Sequence, residues 1–469
     1  MVSIKSIHFF NHHIFENQTF DFTIDGINPT NNIIIAGENG SGKTKLLEEL
    51  YNISNIPFYP NNTIYSRKTH ELVVDISDDN YCNFDNEQEI VKEAILIISK
   101  NDTGNISNKV TFKNGENEIR NVKKRGSLDK INMFKLSGLY SNVDINYKPR
   151  NLIQGTTNKT LDNETSLIPD DMAHEIIQLL VDIAIQDSCD VDAWIGNHRN
   201  EIVPDNIYHT RLNRFTNAFK IIFDNTIQYK EIKNNSIPIF RKNNHDIEIS
   251  SLSSGEKQII FRGIFLLQNK NSLKGVPVFI DEPEISMHPK WEEKIFEYYK
   301  SIFSENSNQT SQMFIATHSE HILSNVLTND NCLVIKIKNG SYAKFYKGSQ
   351  GIVLPTITIA EIKHAIFDLY TTDFHNLLYG YIQENYVSDN NGNILNNANV
   401  KQTDEWLKNQ GATLKHYYKQ ISVTNIKEYD TLPTYIRNCI DHPDNNITYT
   451  TSELSNSIKE LIRIINNNR

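Results

Sequence analysis

Residues 37–44 read Gly-Glu-Asn-Gly-Ser-Gly-Lys-Thr and fill every fixed position of GxxxxGK[ST]. The flanks suit the motif. Asn32-Ile33-Ile34-Ile35-Ala36 is a short apolar run that reads as a buried strand, and Thr44 to Leu50 reads as a helix. A strand that turns through glycines into a helix aims backbone N–H groups and a helix N-terminus at one point, as a phosphate requires. Gly37, Asn39, Gly40, Ser41 and Gly42 would form the cradle. Lys43 would reach the β- and γ-phosphates, and Thr44 would place its hydroxyl on Mg²⁺. An α/β fold with a parallel sheet is the expected setting.

Two further apolar strands end in polar residues. Val276-Pro277-Val278-Phe279-Ile280 runs into Asp281-Glu282-Pro283-Glu284, with Pro277 at a strand start, where proline is tolerated. Met313-Phe314-Ile315-Ala316 runs into Thr317-His318-Ser319. Strand C-termini are where a parallel sheet presents a site. A metal-bridged phosphate needs one carboxylate at the ion and another on the attacking water. Asp281 would hold Mg²⁺, Glu282 would orient and deprotonate the water, and His318 would sense the γ-phosphate. ATP with Mg²⁺ is the expected cofactor. Between these motifs lies Ser251-Leu252-Ser253-Ser254-Gly255-Glu256-Lys257-Gln258, where Ser253-x-x-Glu256 also reads as a helix capping box.

The order of these motifs resembles the ABC ATPase superfamily, and within it the soluble branch of SMC, RecF and overcoming-lysogenisation-defect ATPases. The resemblance spans roughly residues 1–325. Residues 281–289 match the DEPExxxHP form of that branch and lack the SALD loop of transporters. In this branch Ser3 to Phe10 and Phe20-Asp21-Phe22 pair as an antiparallel β layer ahead of the motif strand. The resemblance implies two heads facing each other, with ATP between one head's Walker motifs and the other's signature. Ser253, Gly255 and Glu256 would then serve the nucleotide of the partner head. The expected assembly is a homodimer or higher homo-oligomer through the heads, closed by ATP and opened by hydrolysis. The family's Q-loop glutamine, a further Mg²⁺ contact, is assigned to Gln154, after the strand-like 143–147, with Gln88 as the weaker choice.

About 200 residues separate Thr44 from Leu252, and no sustained heptads fill them. A β-rich lobe is expected to about residue 150, followed by helices over about 170–186 and 207–223, so that an insertion of about 55–235 splits the head. Ile176, Ile177, Leu180, Val181 and Ala184 on the first helix, and Phe215, Phe219, Ile222 and Phe223 on the second, fall at helical spacing and read as core. The pair resembles the short helical arm of compact defence-type ATPases. Residues 158–165 read as a polar loop. Lys123-Lys124-Arg125, with Arg211 and Arg214, reads as a solvated face or as a footprint for RNA or DNA.

Residues 1–350 are thus assigned to the head and 351–469 to an all-α domain. Apolar stripes mark 357–369 and 373–386, 404–421 is amphipathic, and Thr450-Thr451-Ser452-Glu453 opens a last helix. This region holds Arg437-Asn438-Cys439-Ile440-Asp441-His442, which resembles the RNxxxH signature of HEPN ribonucleases. The resemblance implies metal-free cleavage of an RNA such as tRNA, with His442 managing protons and Arg437 steadying charge. The plainer reading is a helix C-terminus at which His442 caps carbonyls before Pro443. No DxD follows His318, as a Toprim nuclease would need. The expectation is an anti-phage, abortive-infection ATPase that controls this C-terminal ribonuclease. The alternatives are an ATPase sensor bound to a separate nuclease or inhibitor, and a RecF- or SMC-like DNA-repair protein.

Composition narrows the partners. Acidic residues number 57 against 47 basic, a net charge of -10 that disfavours a polycation coating nucleic acid or membrane. No run of ~18 apolar residues suggests a transmembrane helix. Cys82, Cys189, Cys332 and Cys439 are scattered without a CxxC pair. With no signal-peptide pattern at the start, a reducing cytoplasm is expected and no membrane partner.

Overall fold

The computed structural model describes residues 2–55, 70–76, 81–84, 87–90, 92–100, 106–114, 117–124, 139–141, 166–167, 173–199, 201–204, 210–234, 237–267, 277–305, 308–349, 351–389, 392–422, 425–443 and 447–469. These form two compact units, 1–347 and 348–469.

The first unit is built on a seven-stranded sheet. Its order is Ser166–Leu167, Leu139–Ser141, Val278–Asp281, Met313–Thr317, Asn32–Ala36, Cys332–Lys338 and Ser341–Phe345. Every pairing is parallel except the last. The three strands read from the sequence are neighbours and in step: Asp281 pairs with Ala316, and Thr317 with Ala36. Each is buried along its whole length. That burial on both faces is why they appear as unbroken apolar runs rather than alternating patterns.

A second, antiparallel layer has the order Thr19–Asp21, Val2–Phe9, His70–Ile76, Glu93–Lys100, Ile106–Asn114 and Asn117–Lys124. Its apolar face (Ile4, Ile7, Phe20, Leu72, Leu96, Phe112) shares one core with Ile33 and Ile35, with Phe279 and Phe314, and with Leu46, Leu47 and Leu50 of the helix Lys43–Asn55. Buried Gln312 ties the layers together. It accepts from Ile4 N at 2.7 Å and donates to Ile4 O at 3.0 Å and Thr30 O at 2.8 Å.

Four strands of the expected β-rich lobe, His70–Ile76, Glu93–Lys100, Ile106–Asn114 and Asn117–Lys124, extend the N-terminal layer, because Val2–Phe9 takes His70–Ile76 as its second neighbour. Alternation in sequence marks such strands but not their partner. The helices Ala173–Asn197 and Thr210–Phe223 bury Ile177, Leu180 and Val181, and Phe215, Phe219 and Ile222. Their buried faces pack on the helices Ser254–Leu266 and Pro289–Ile302 of the head. Residues 143–147, Gln154, the loop 158–165, Arg125 and the side chains of Lys123, Lys124 and Arg211 lie outside the described residues. Gln88 falls in the strand Glu87–Ile90, paired with Tyr81–Phe84.

The second unit holds the helices Ile359–Ala365, Thr372–Asn385, Val400–Asn409, Leu432–Asp441 and Thr451–Asn467. Phe374, Leu378, Ile436, Leu454, Ile458, Leu461 and Ile465 form its core. Thr450 and Glu453 make both halves of a capping box, worth about 1 kcal/mol to the last helix. The unit is not purely helical. The amphipathic run expected to reach residue 421 leaves the helix at Gln410, where Gly411 takes φ +75. It continues as an antiparallel hairpin, Leu414–Ser422 with Asn425–Thr431. Among the described residues, no helix is long and apolar enough to cross a membrane.

Candidate nucleotide site

Three strand ends converge on the loop 37–44. Gly37 has φ +152, and a Cβ there would lie 2.5 Å from Ile337 O, so only glycine fits. Gly42 has φ +102 and sits under Phe15. The loop's own carbonyls hold Lys43, whose Nζ donates to Gly37 O at 3.2 Å and Glu38 O at 3.0 Å. Burial lowers its pKa from the ordinary lysine value, against the attraction of Glu282, Asp281 and Glu284.

Thr44 Oγ1 donates to Asp281 Oδ1 at 3.3 Å. A threonine hydroxyl and a fully buried carboxylate are both hard oxygen ligands of the kind Mg²⁺ takes. Asp281 is also gripped from behind, because Arg262 of the helix Ser254–Leu266 donates to its carbonyl at 2.8 Å.

Glu282 breaks the strand with φ +42, a left-handed conformation costly for a residue with a Cβ. Its N–H still donates to Ala316 O at 2.9 Å, so the turn stays fixed to the neighbouring strand. Glu282 Oε1 lies 3.2 Å from His318 Nε2. Burial and the charge of Lys43 depress the His318 pKa, while Glu282 and the backbone of Gly37 oppose that shift. His318 is thus biased towards the neutral imidazole, which can accept or donate a proton.

Glu284 had no role assigned from sequence. Its Oε1 accepts from Thr317 Oγ1 at 2.8 Å and from His318 N at 2.7 Å. Burial raises its pKa above the usual carboxylate range despite these bonds. The DEPE run was visible, but the acceptor function depends on a backbone 34 positions away.

The signature segment is shaped as a helix N-terminus. Ser253 caps the helix Ser254–Leu266 by accepting from Glu256 N, and Glu256 Oε2 accepts from Ser253 N at 2.8 Å. Lys242 holds the same carboxylate at 2.8 Å. Burial opposes ionisation of Glu256, but the Lys242 and Ser253 bonds outweigh it and lower its pKa. A Cβ on Gly255 would lie 2.5 Å from Ser286 O, so the segment packs tightly on the loop after Glu284. Ser253 itself is exposed, and its hydrogen bonds with Glu256 stay within the segment.

The structure thus brings Lys43, Thr44, Asp281, Glu282 and His318 together. It gives Arg437 and His442 different surroundings. Arg437 pairs with Asp441 at 2.7 Å and reaches Asn438 at 3.3 Å. His442 closes the helix with φ -134, its N–H on Asn438 O at 3.1 Å. Among the described residues, no hydrogen bond or ion pair joins the two.

The sequence matches no curated protein. The SMC head domain from Thermotoga maritima aligns with 73% of this chain and 98% of its own, at 15% identity and a TM-score of 0.39. The Smc head domain with an extended coiled coil bound to the C-terminal domain of ScpA, from Pyrococcus furiosus, aligns with 73% and 96%, at 13% identity and a TM-score of 0.41. The recombination mediator protein RecF of the RecFOR pathway aligns with 73% and 98%, at 12% identity and a TM-score of 0.33. Residues 33–324 match the family model described as "AAA domain, putative AbiEii toxin, Type IV TA system". That match spans more than half of the chain, and the protein belongs to this AAA-domain family.

Proposed function

We propose that the protein binds and hydrolyses ATP with Mg²⁺, and that ATP draws two heads together to control an effector in anti-phage defence. One observation carries the reading: Thr44 and Asp281 stand beside the Glu282–His318 pair at the ends of three adjacent parallel strands. Thr44 and Asp281 would hold Mg²⁺, which supplies charge neutralisation at the phosphates when bound. Glu282 orients the attacking water and takes its proton. His318 holds Glu282 and reads the phosphate through the same ring. Ser253 and Gly255 serve a second head, since Ser253 is exposed and completes its bonds within its own capping box.

The family description names a toxin of a type IV toxin–antitoxin system, which supports the defence role. For the second unit, we favour docking of a separately encoded nuclease or inhibitor. Asp441 occupies the Arg437 guanidinium, and His442 ends its helix. Expression beside His442→Ala during phage challenge, with total-RNA analysis, separates this from a HEPN-type ribonuclease. Docking predicts equal toxicity in both. Loss of toxicity and of RNA cleavage in His442→Ala, with ATP turnover kept, would establish the ribonuclease instead.

A further inference from the structure

We propose that Glu284 is a positioning residue that fixes His318 against Glu282 by anchoring the backbone of residues 317–319. The proposal rests on reading Glu282 and His318 as parts of an ATPase site. A single carboxylate oxygen takes the Thr317 hydroxyl at 2.8 Å and the His318 N–H at 2.7 Å. Thr317 Oγ1 in turn accepts from Ser319 N at 2.9 Å. Three consecutive residues therefore hang on Glu284 Oε1. Beyond them, Ser319 caps the helix Glu320–Val326 and donates to Glu292 Oε2 at 2.5 Å.

The placement has a direct geometric consequence. His318 follows the end of the strand Met313–Thr317, where the sheet no longer fixes the backbone. Its ring must reach Glu282 on the neighbouring strand's turn, at 3.2 Å. Glu284 belongs to that turn, so one short segment carries both the carboxylate that the ring faces and the acceptor that sets the ring's backbone. The two parts of the pair cannot drift independently. The other oxygen, Oε2, is buried without a hydrogen-bond partner among the described residues. A buried carboxylate left half-satisfied is costly, and such groups call for an explanation beyond packing. An anchor that must accept two donors at one oxygen supplies it.

The test compares Glu284→Ala and Glu284→Gln with the unmodified full-length protein, measuring ATP affinity and steady-state kcat separately. Loss of the anchor should lower kcat by roughly 10- to 100-fold in Glu284→Ala, with ATP affinity within about 3-fold, since small misplacements of a reacting group act on rate. Glutamine keeps a carbonyl oxygen in the same place and should restore kcat to within about 3-fold. The proposal is overturned if Glu284→Ala keeps its kcat, if affinity falls in parallel with it, or if Glu284→Gln is as impaired as Glu284→Ala. Should the alanine variant fail to fold, Thr317→Val removes one of the two bonds, and an unchanged kcat there overturns the idea equally. An unmodified protein that binds no ATP would instead remove the ATPase reading on which all this rests.

Discussion

Thr44 and Asp281 lie 237 positions apart, yet the hydroxyl of one meets the carboxylate of the other at 3.3 Å. Two strands, parallel to each other but separated by the strand Met313–Thr317, deliver them to the same end of the sheet. The contact is long for a hydroxyl–carboxylate hydrogen bond, and both oxygens are of the type that a hard divalent cation takes.

Asp281→Asn should therefore weaken the response to Mg²⁺ more than the binding of nucleotide. ATP turnover titrated against Mg²⁺ should fall by about 100-fold or more, while ATP affinity measured without metal changes little. Equal Mg²⁺ dependence in variant and unmodified protein would exclude Asp281 from the metal shell.

Ser253 is expected to act on the partner head. Ser253→Ala removes a cap worth about 1 kcal/mol, which the helix Ser254–Leu266, buried along most of its length, should tolerate. ATP binding to one head should persist, but light scattering should show loss of ATP-driven pairing. Pairing at the unmodified level would mean that the signature serves no second head.

The second unit should be acid-sensitive through His375. Its ring is buried and bonded to Ser457 Oγ at 2.9 Å, and burial pushes its pKa down to about 4 from an ordinary 6.5. The unfolded chain takes up a proton below about pH 6.5, while the folded one resists until about pH 4. Stability should thus fall as pH drops through that window, by about 3 kcal/mol in total. Thermal unfolding at several pH values should show a shallower acid slope in His375→Gln than in the unmodified chain. An identical slope would remove His375 as its source.

The strands that carry the site were readable because burial on both faces leaves an unbroken apolar signal, as at Ile33–Ala36 and Phe314–Ala316. Local hydrogen-bond logic was equally readable: the capping boxes at Ser253–Glu256 and Thr450–Glu453 both form. Long-range choices were not. Nothing in Val2–Phe9 names His70–Ile76 as its partner, and the turn of 410–431 into a hairpin depends on packing against the helical core. The left-handed Glu282 was also hidden, since no glycine marks the position. Arg437 pairs with its i,i+4 neighbour Asp441, a contact that the motif itself did not announce.

Glu282 gives the most direct test. Phosphate release by Glu282→Gln, measured beside the unmodified protein at saturating ATP and Mg²⁺, should fall by roughly 100-fold or more, with ATP binding intact and the paired, ATP-bound heads accumulating. Turnover at the unmodified rate in Glu282→Gln would contradict the assignment of this strand end as the place where ATP is hydrolysed.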